Sequence, residues 1–156
     1  MARGGRTIAE PVVNVDAQDV AINTTGDIHY YDQEDGQFYR LSANGFPEAL
    51  SQKTFPNVEN VEWSPTGTRG ILEFPDGKNI FYDFDSEAQY TLPDEGQDFS
   101  FSPSGNEISY EFITNNPDEN WLIVSDPTGS NAIAVEHIGN ANPDDLCAVC
   151  YELFKD

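Results

Sequence analysis

The chain has 156 residues, the size of one domain, and a formal net charge of -21 from 28 acidic and seven basic side chains. Because phosphate binding needs clustered lysine and arginine, this charge argues against nucleic acid and anionic membrane surfaces as partners. A hydrophobic content of 38% is enough for a folded core, which argues against global disorder. No apolar run approaches the roughly 18 residues of a membrane span, so membrane insertion is not predicted.

The first predicted repeat unit covers residues 19–51 and follows a lead-in over residues 1–18, in which an outer strand at residues 11–15 is one interpretation. Val20 and Ile22 alternate along the start of the unit and run into Asn-Thr-Thr-Gly. Alternation is the period of a strand with one buried face. Asn at the first and Gly at the fourth position fit a type I turn. Three further short runs, separated by turns, complete four predicted strands.

The second and third units cover residues 58–92 and 97–138, and they repeat this beginning in a stronger form. In the second unit Trp63 runs into Ser-Pro-Thr-Gly, and in the third unit Phe101 runs into Ser-Pro-Ser-Gly. Ser, Pro and Gly at the first, second and fourth positions favour a type I turn. Three further short strands are indicated after each turn, which gives four strands in each unit.

The spacing of the turn glycines identifies the kind of repeat. Gly26 precedes Gly67 by 41 residues, and Gly105 follows Gly67 by 38. Periods near 40 are typical of propeller blades and of some helical arrays. No unit contains a ten-residue stretch of helical periodicity, which excludes the arrays. The sequence therefore predicts an all-β fold: a partial β-propeller of about three four-stranded antiparallel blades.

The repeated pattern resembles the propeller repeats of TolB-type proteins and the related WD-like repeats of bacterial envelope proteins. The best matches are residues 63–67 and 101–105, together with Asp83 and Asp126 near the ends of the third strands. The resemblance covers roughly residues 19–138. It implies a protein-interaction platform, or the non-catalytic domain beside a peptidase, and a location in the bacterial cell envelope or periplasm. The cationic start of the chain lacks the apolar region of a signal peptide.

The tail, residues 142–156, is predicted to be a short amphipathic helix. An N-cap, a proline at the first helical position and acidic residues in the first turn favour its start. Its apolar residues recur at helical spacing: Leu146, Val149, Cys150, Leu153 and Phe154. An open three-blade stack would leave both end faces exposed, and such a helix could cover one of them.

The sequence predicts no catalytic, cofactor-binding or metal-binding residues. Cys147 and Cys150 supply at most two metal ligands, whereas structural zinc needs four. His29 and His137 lie on strands and are interpreted as surface or packing residues. The chain has no Gly-x-Ser-x-Gly elbow.

Acidic turns allow a weaker alternative, a calcium-stabilised module. The acidic groups are Asp32, Glu34 and Asp35; Asp83, Asp85 and Glu87; and Asp94, Glu95 and Asp98. The first group departs from an EF-hand loop, because its twelfth position is alanine rather than glutamate. These acids are interpreted as solvated turn residues.

The predicted function is a non-enzymatic protein- or peptide-interaction module, either a fragment of a larger propeller or a chain that completes one. The alternative is the non-catalytic propeller domain of a hydrolase or peptidase whose catalytic domain lies outside this chain. The expected partner is a protein or peptide, with self-association through the open blade edges as a further interaction. No cofactor is predicted.

Overall fold

The computed structural model describes residues 15–139, and over this range it contains three four-stranded antiparallel sheets. Blade 1 contains β1 (Ala17–Ile22), β2 (Ile28–Asp32), β3 (Gln37–Leu41) and β4 (Pro47–Ala49). Blade 2 contains β5 (Asn60–Trp63), β6 (Arg69–Glu73), β7 (Asn79–Asp83) and β8 (Ala88–Leu92). Blade 3 contains β9 (Gly96–Phe101), β10 (Ile108–Phe112), β11 (Trp121–Ser125) and β12 (Ile133–His137). The predicted all-β fold of three four-stranded sheets is confirmed.

The strand bounds differ from the predicted ones at two bulged strands. β1 begins at Ala17, inside the predicted lead-in, and its register with β2 shifts between Gln18 and Ala21. β9 begins at Gly96, one residue before the predicted third unit. A bulge places an extra residue in one strand, which breaks the simple alternation that marks a strand in sequence. The interpreted strand at residues 11–15 and the predicted helix at residues 142–156 lie outside the described residues.

The first strand of each blade lies at the inner edge of its sheet. Each sheet follows chain order from this strand outward, and β5 contacts both β1 and β9. The Trp63 indole N–H donates to the Asp19 backbone carbonyl over 2.7 Å, which joins two of these inner strands. We call the side of a blade that faces the preceding blade its leading face, and the opposite side its trailing face.

Two hydrophobic cores fill the spaces between the blades. The core between blades 1 and 2 is mainly aromatic, with Tyr31, Phe38, Phe55, Val58, Val61, Leu72, Tyr82 and Phe84 buried. The core between blades 2 and 3 contains Ile71, Phe81, Leu92, Phe99, Phe101, Ile108 and Tyr110. Since successive strand side chains point to opposite faces, blade 2 contributes to both cores, with Leu72 on one side and Ile71 on the other. These cores hold the turns at one end of the blades in fixed positions.

Candidate functional site

The repeated turns form one end of the blades, and their geometry follows from their sequence. The Gly67 N–H donates to the Ser64 carbonyl over 2.9 Å, and the Gly105 N–H donates to the Ser102 carbonyl over 2.8 Å. Gly67 and Gly105 have φ values of 71° and 70°, a conformation that favours glycine. Ser64 Oγ also accepts from the Arg69 N–H over 3.2 Å, which closes the turn onto the next strand.

A cleft of about 390 Å³ opens between the turns of blades 1 and 2. Hydrogen bonds hold the two turns together at its edge: the Thr24 N–H donates to the Pro65 carbonyl over 3.1 Å, and Asn23 Nδ2 donates to the Thr66 carbonyl over 3.1 Å. Hydroxyl groups, carboxylates, the His29 imidazole and the Arg40 guanidinium line this cleft. The lining residues are Asn23, Thr24, Thr25, Asp27, His29, Arg40, Leu50, Thr66, Gly67, Thr68, Phe84 and Asp85.

His29 lies on β2 at the wall of this cleft and is only 2% exposed. Its ring packs against Trp63 with centroids 5.4 Å apart, and a Cβ added at Gly67 would lie 2.6 Å from its Nε2 atom. Burial lowers the pKa of His29, and nearby Asp27 opposes this only in part, so the ring is neutral near pH 7. Among residues 15–139 its buried Nδ1 atom has no hydrogen-bond partner of good geometry, although the Asp27 backbone is close.

Arg40 is directly opposite His29 in the β2–β3 register. Its Nη2 atom forms an ion pair with Glu48 Oε2 at 2.7 Å, on the outer part of blade 1. Its Nε–H is buried and has no partner among the described residues. The wall of the cleft therefore contains two buried groups that are left unpaired within residues 15–139. Each such group carries a penalty of about 1–3 kcal/mol until something pairs with it.

A second, smaller cleft of about 200 Å³ lies between blades 2 and 3. Here the arginine is paired: Arg69 Nε donates to Asp83 Oδ2 over 3.2 Å, and Arg69 Nη1 donates to the Gly105 carbonyl over 3.4 Å. Tyr90 and Pro127 supply apolar lining. Within the described residues, the arginine of the second cleft is therefore more fully hydrogen-bonded than the arginine of the first.

Three of the acidic turn residues accept hydrogen bonds from the backbone of their own turns. Asp32 Oδ1 accepts from the Glu34 N–H, Asp35 Oδ1 accepts from the Gln37 N–H, and Asp83 Oδ1 accepts from the Asp85 and Ser86 N–H groups. Within residues 15–139 no group of three or more His, Cys, Asp or Glu side chains is placed to hold a metal ion.

The remaining residues considered in the sequence lie apart from the cleft. His137 packs edge-on against Trp121 on the outer side of blade 3, with centroids 4.9 Å apart. Cys147 and Cys150 lie outside the described residues. No helix within residues 15–139 is long and apolar enough to cross a membrane.

Sequence reasoning did not find the cleft. His29 was interpreted as a packing or surface residue, and its packing against Trp63 agrees with the first of these. His29 follows the turn glycine Gly26 on β2, and Arg40 is opposite it on β3. The cleft that they share with Thr66 and Asp85 depends on how blade 2 packs against blade 1, and no sequence signal connects these residues.

Comparison with known proteins finds solved structures of the same architecture. No family model and no curated protein matches the chain. The tricorn protease structure has a TM-score of 0.59 and 13% identity, covering 76% of this chain and 13% of that one. TolB from Acinetobacter baumannii has a TM-score of 0.56 and 12% identity, covering 79% of this chain and 33% of that one. The fold is a partial β-propeller.

A further similar propeller is the structure of YCF48 bound to D1 peptide. It has a TM-score of 0.56 and 17% identity, covering 84% of this chain and 43% of that one. The chain thus spans less than half the length of these three structures. At these identities the comparisons establish the propeller fold and its resemblance to TolB-type repeats, and they leave the binding properties of this chain to its own residues.

Proposed function

We propose that the protein is a non-enzymatic interaction module that binds a peptide segment of a partner protein in the cleft between blades 1 and 2. The observation that carries the proposal is the cleft itself, which opens between two blades and is lined by hydroxyls, carboxylates and the partly exposed Arg40 side chain. A volume of about 390 Å³ lies within the range of about 300–1,000 Å³ that is common for ligand sites.

A peptide offers groups that match the accessible lining of the cleft. Its carbonyls can accept from the guanidinium of Arg40, whose side chain is 42% exposed, and its N–H groups can donate to the carboxylates of Asp27 and Asp85. The Thr66 and Thr68 hydroxyls can serve as donors or acceptors to the neighbouring amides.

The charge of the cleft favours a neutral or basic peptide over an acidic one. Asp27 and Asp85 both line it, and the single arginine is already paired with Glu48 through its Nη2 atom. The net charge of -21 adds a long-range field that attracts cations. The comparison with YCF48 bound to D1 peptide supports a peptide as ligand, because it is a propeller of similar structure.

The experiment selects peptides from a phage-displayed random library on the wild-type protein and measures their affinity by fluorescence polarisation. Thr66→Trp fills the cleft mouth. Ser104→Trp is its matched control, because Ser104 holds the same position in the turn of blade 3 and does not line the cleft. We expect Thr66→Trp to weaken binding at least about tenfold, or about 1.4 kcal/mol, and Ser104→Trp to leave it unchanged.

Selected peptides that bind Thr66→Trp as tightly as wild type would place the site elsewhere, and selection of none above background would remove the proposal. The alternative, a non-catalytic domain of a hydrolase, stays a prediction. A sequence encoding a catalytic domain beside this chain in its gene would support it.

A further inference from the structure

The second cleft, between blades 2 and 3, has one wall on each blade. On blade 2 this wall is the trailing face, where Phe81 on β7 pairs with Tyr90 on β8. On blade 3 it is the β11–β12 turn, which includes Pro127. A Cβ added at Gly129 of this turn would lie 3.2 Å from Leu92 Cδ2 of β8, so the turn packs closely on blade 2. The two walls are therefore held against each other.

Four polar side chains that line the second cleft already form hydrogen bonds within the protein. Asp83 accepts from Arg69 Nε through Oδ2 over 3.2 Å, and from Ser86 Oγ through Oδ1 over 2.9 Å. Thr128 Oγ1 donates to Ser130 Oγ over 3.1 Å. A ligand that brings a charge or a polar group here loses its hydration and meets partners that are already in use, which is costly. The lining therefore favours a side chain that requires no hydrogen bond.

The rest of the lining is apolar and suits a ring. It consists of Phe81, Ala88, Tyr90 and Pro127. Tyr90 is 45% exposed and its ring packs on Phe81 with centroids 6.1 Å apart, so a ligand that covers it gains hydrophobic burial. An aromatic side chain can also stack on the planar guanidinium of Arg69. An aromatic occupant therefore uses more of this lining than an aliphatic one.

The size of the second cleft limits the occupant to one side chain. Its volume is about 200 Å³, whereas separate small-molecule ligands commonly occupy about 300–1,000 Å³. A cavity of about 150 Å³ is sufficient for a benzene ring. The second cleft thus fits the ring of a phenylalanine or tyrosine that belongs to a larger ligand.

One turn separates the second cleft from the cleft between blades 1 and 2, which we call the first cleft. Phe84 and Asp85 of the β7–β8 turn line the first cleft, and Asp83 and Ser86 at the same turn line the second. Both clefts therefore open at the same end of the blades. Packed sheets lie about 10 Å apart, a distance that an extended peptide covers in about three residues. One peptide can thus occupy both clefts.

We propose that the second cleft binds an aromatic side chain of the same peptide whose neutral or basic segment occupies the first cleft, about three residues away. The occupant follows from the lining, in which the polar groups are paired and the exposed apolar groups include a ring. The ligand of the proposed function, on which this site depends, is then a peptide with an aromatic residue at a fixed distance from the segment in the first cleft.

The test uses the phage-selected peptides that bind the first cleft, defined as those whose binding Thr66→Trp weakens. We expect an aromatic residue at one fixed position in these peptides. Tyr90→Ala should weaken their binding at least about fivefold by fluorescence polarisation, and Tyr90→Phe should restore it because the ring is returned. Gln89→Ala is the matched control, since Gln89 is exposed and points to the opposite face of β8. It should leave the affinity unchanged.

A double-mutant cycle assigns the contact, and circular dichroism checks that every variant is folded. In a peptide whose aromatic residue is replaced by Ala, Tyr90→Ala should change the affinity by less than about twofold. Two results would overturn the aromatic site and leave the proposed function intact: first-cleft peptides without an aromatic preference, or an aromatic residue whose replacement weakens binding to wild type and to Tyr90→Ala equally. Selection of no peptide, or only of peptides that Thr66→Trp leaves unaffected, would overturn both.

Discussion

The two contacts between blades are built from the same repeat, yet they differ in what they leave unpaired. Between blades 2 and 3, Arg69 is paired with Asp83 and reaches the Gly105 carbonyl, and the cleft there is about 200 Å³. Between blades 1 and 2, Arg40 Nε and His29 Nδ1 are buried in the wall of a cleft of about 390 Å³ and have no partner in the described part of the chain. The repeat supplies the scaffold, and the side chains that depart from it create the candidate site.

The cores beneath the two clefts also differ, in how many aromatic rings are in contact. Phe38 contacts four aromatic rings, those of Tyr31, Phe55, Trp63 and Phe84, at centroid distances of 5.0 to 5.8 Å. Phe101 has one such neighbour, Phe81, at 6.4 Å. Aromatic pairs at these separations add about 0.5–1.5 kcal/mol to the burial of their area. The contact with the open cleft therefore has the stronger aromatic core.

Replacing Phe38 by Ala tests this difference with the largest expected effect. We expect Phe38→Ala to lower the free energy of unfolding by about 3–5 kcal/mol, because it removes a buried ring and leaves a cavity. Phe101→Ala is the comparison, and we expect a smaller loss because fewer rings surround it. Urea unfolding followed by circular dichroism measures both. An equal loss in the two variants would contradict the proposed difference between the cores.

Gly67 and Gly26 provide a test of the packing at the cleft. Both have positive φ, of 71° and 87°, but a Cβ at Gly67 would collide with the His29 ring whereas one at Gly26 would meet nothing within 4 Å. We expect Gly26→Ala to cost about 1 kcal/mol, the penalty of a left-handed alanine. Gly67→Ala should cost at least about 1 kcal/mol more.

Thermal unfolding of the two glycine variants, alone and combined with His29→Ala, separates strain from collision. Removing the imidazole should relieve the additional cost in Gly67→Ala and have no such effect in Gly26→Ala. If His29→Ala rescues neither variant, the contact of this ring with the turn is not what requires glycine.

Glu62 is a titrating group in the contact between blades 2 and 3. Burial raises its pKa to about 7, which the backbone N–H of Phe101 partly opposes. The folded-state pKa of Glu62 lies above the unfolded value of 4.5. The contribution of protonated Glu62 to the free energy of unfolding is therefore complete below about pH 4.5, and it is lost as the pH rises through about 7. Burial also raises the pKa of Asp19, Glu73 and Glu111, which act in the same direction.

Glu62→Gln isolates this contribution. One pKa unit is worth about 1.4 kcal/mol, and residual contact with solvent reduces the full effect, so we expect the variant to be about 2 kcal/mol more stable than wild type at pH 8. The free energies of unfolding of Glu62→Gln and of wild type should be nearly equal at pH 4.5. Glu59→Gln, an exposed neighbour, should change stability by less than about 0.5 kcal/mol at either pH. Urea unfolding at both pH values measures this, and no gain at pH 8 would contradict a raised pKa.

The repeat and the blade count could be read from the sequence because they depend on local chemistry. Ser-Pro-x-Gly specifies a turn through the fixed φ of proline and the freedom of glycine. Alternating side chains such as Val61 and Trp63 specify a strand with one buried face. Both signals lie within a few neighbouring residues, so they can be recognised without knowledge of the rest of the fold.

The burial of Phe55 in the connection between β4 and β5 and the contact of His29 with Gly67 were decided by the tertiary structure. In each case the environment of the residue is set by a neighbouring blade. Those contacts join residues tens of positions apart, and the energy that selects them comes from packing in the cores, which no local pattern records. The sequence by itself determined how each blade is made, and the packing of blade on blade determined where the cleft between blades 1 and 2 lies.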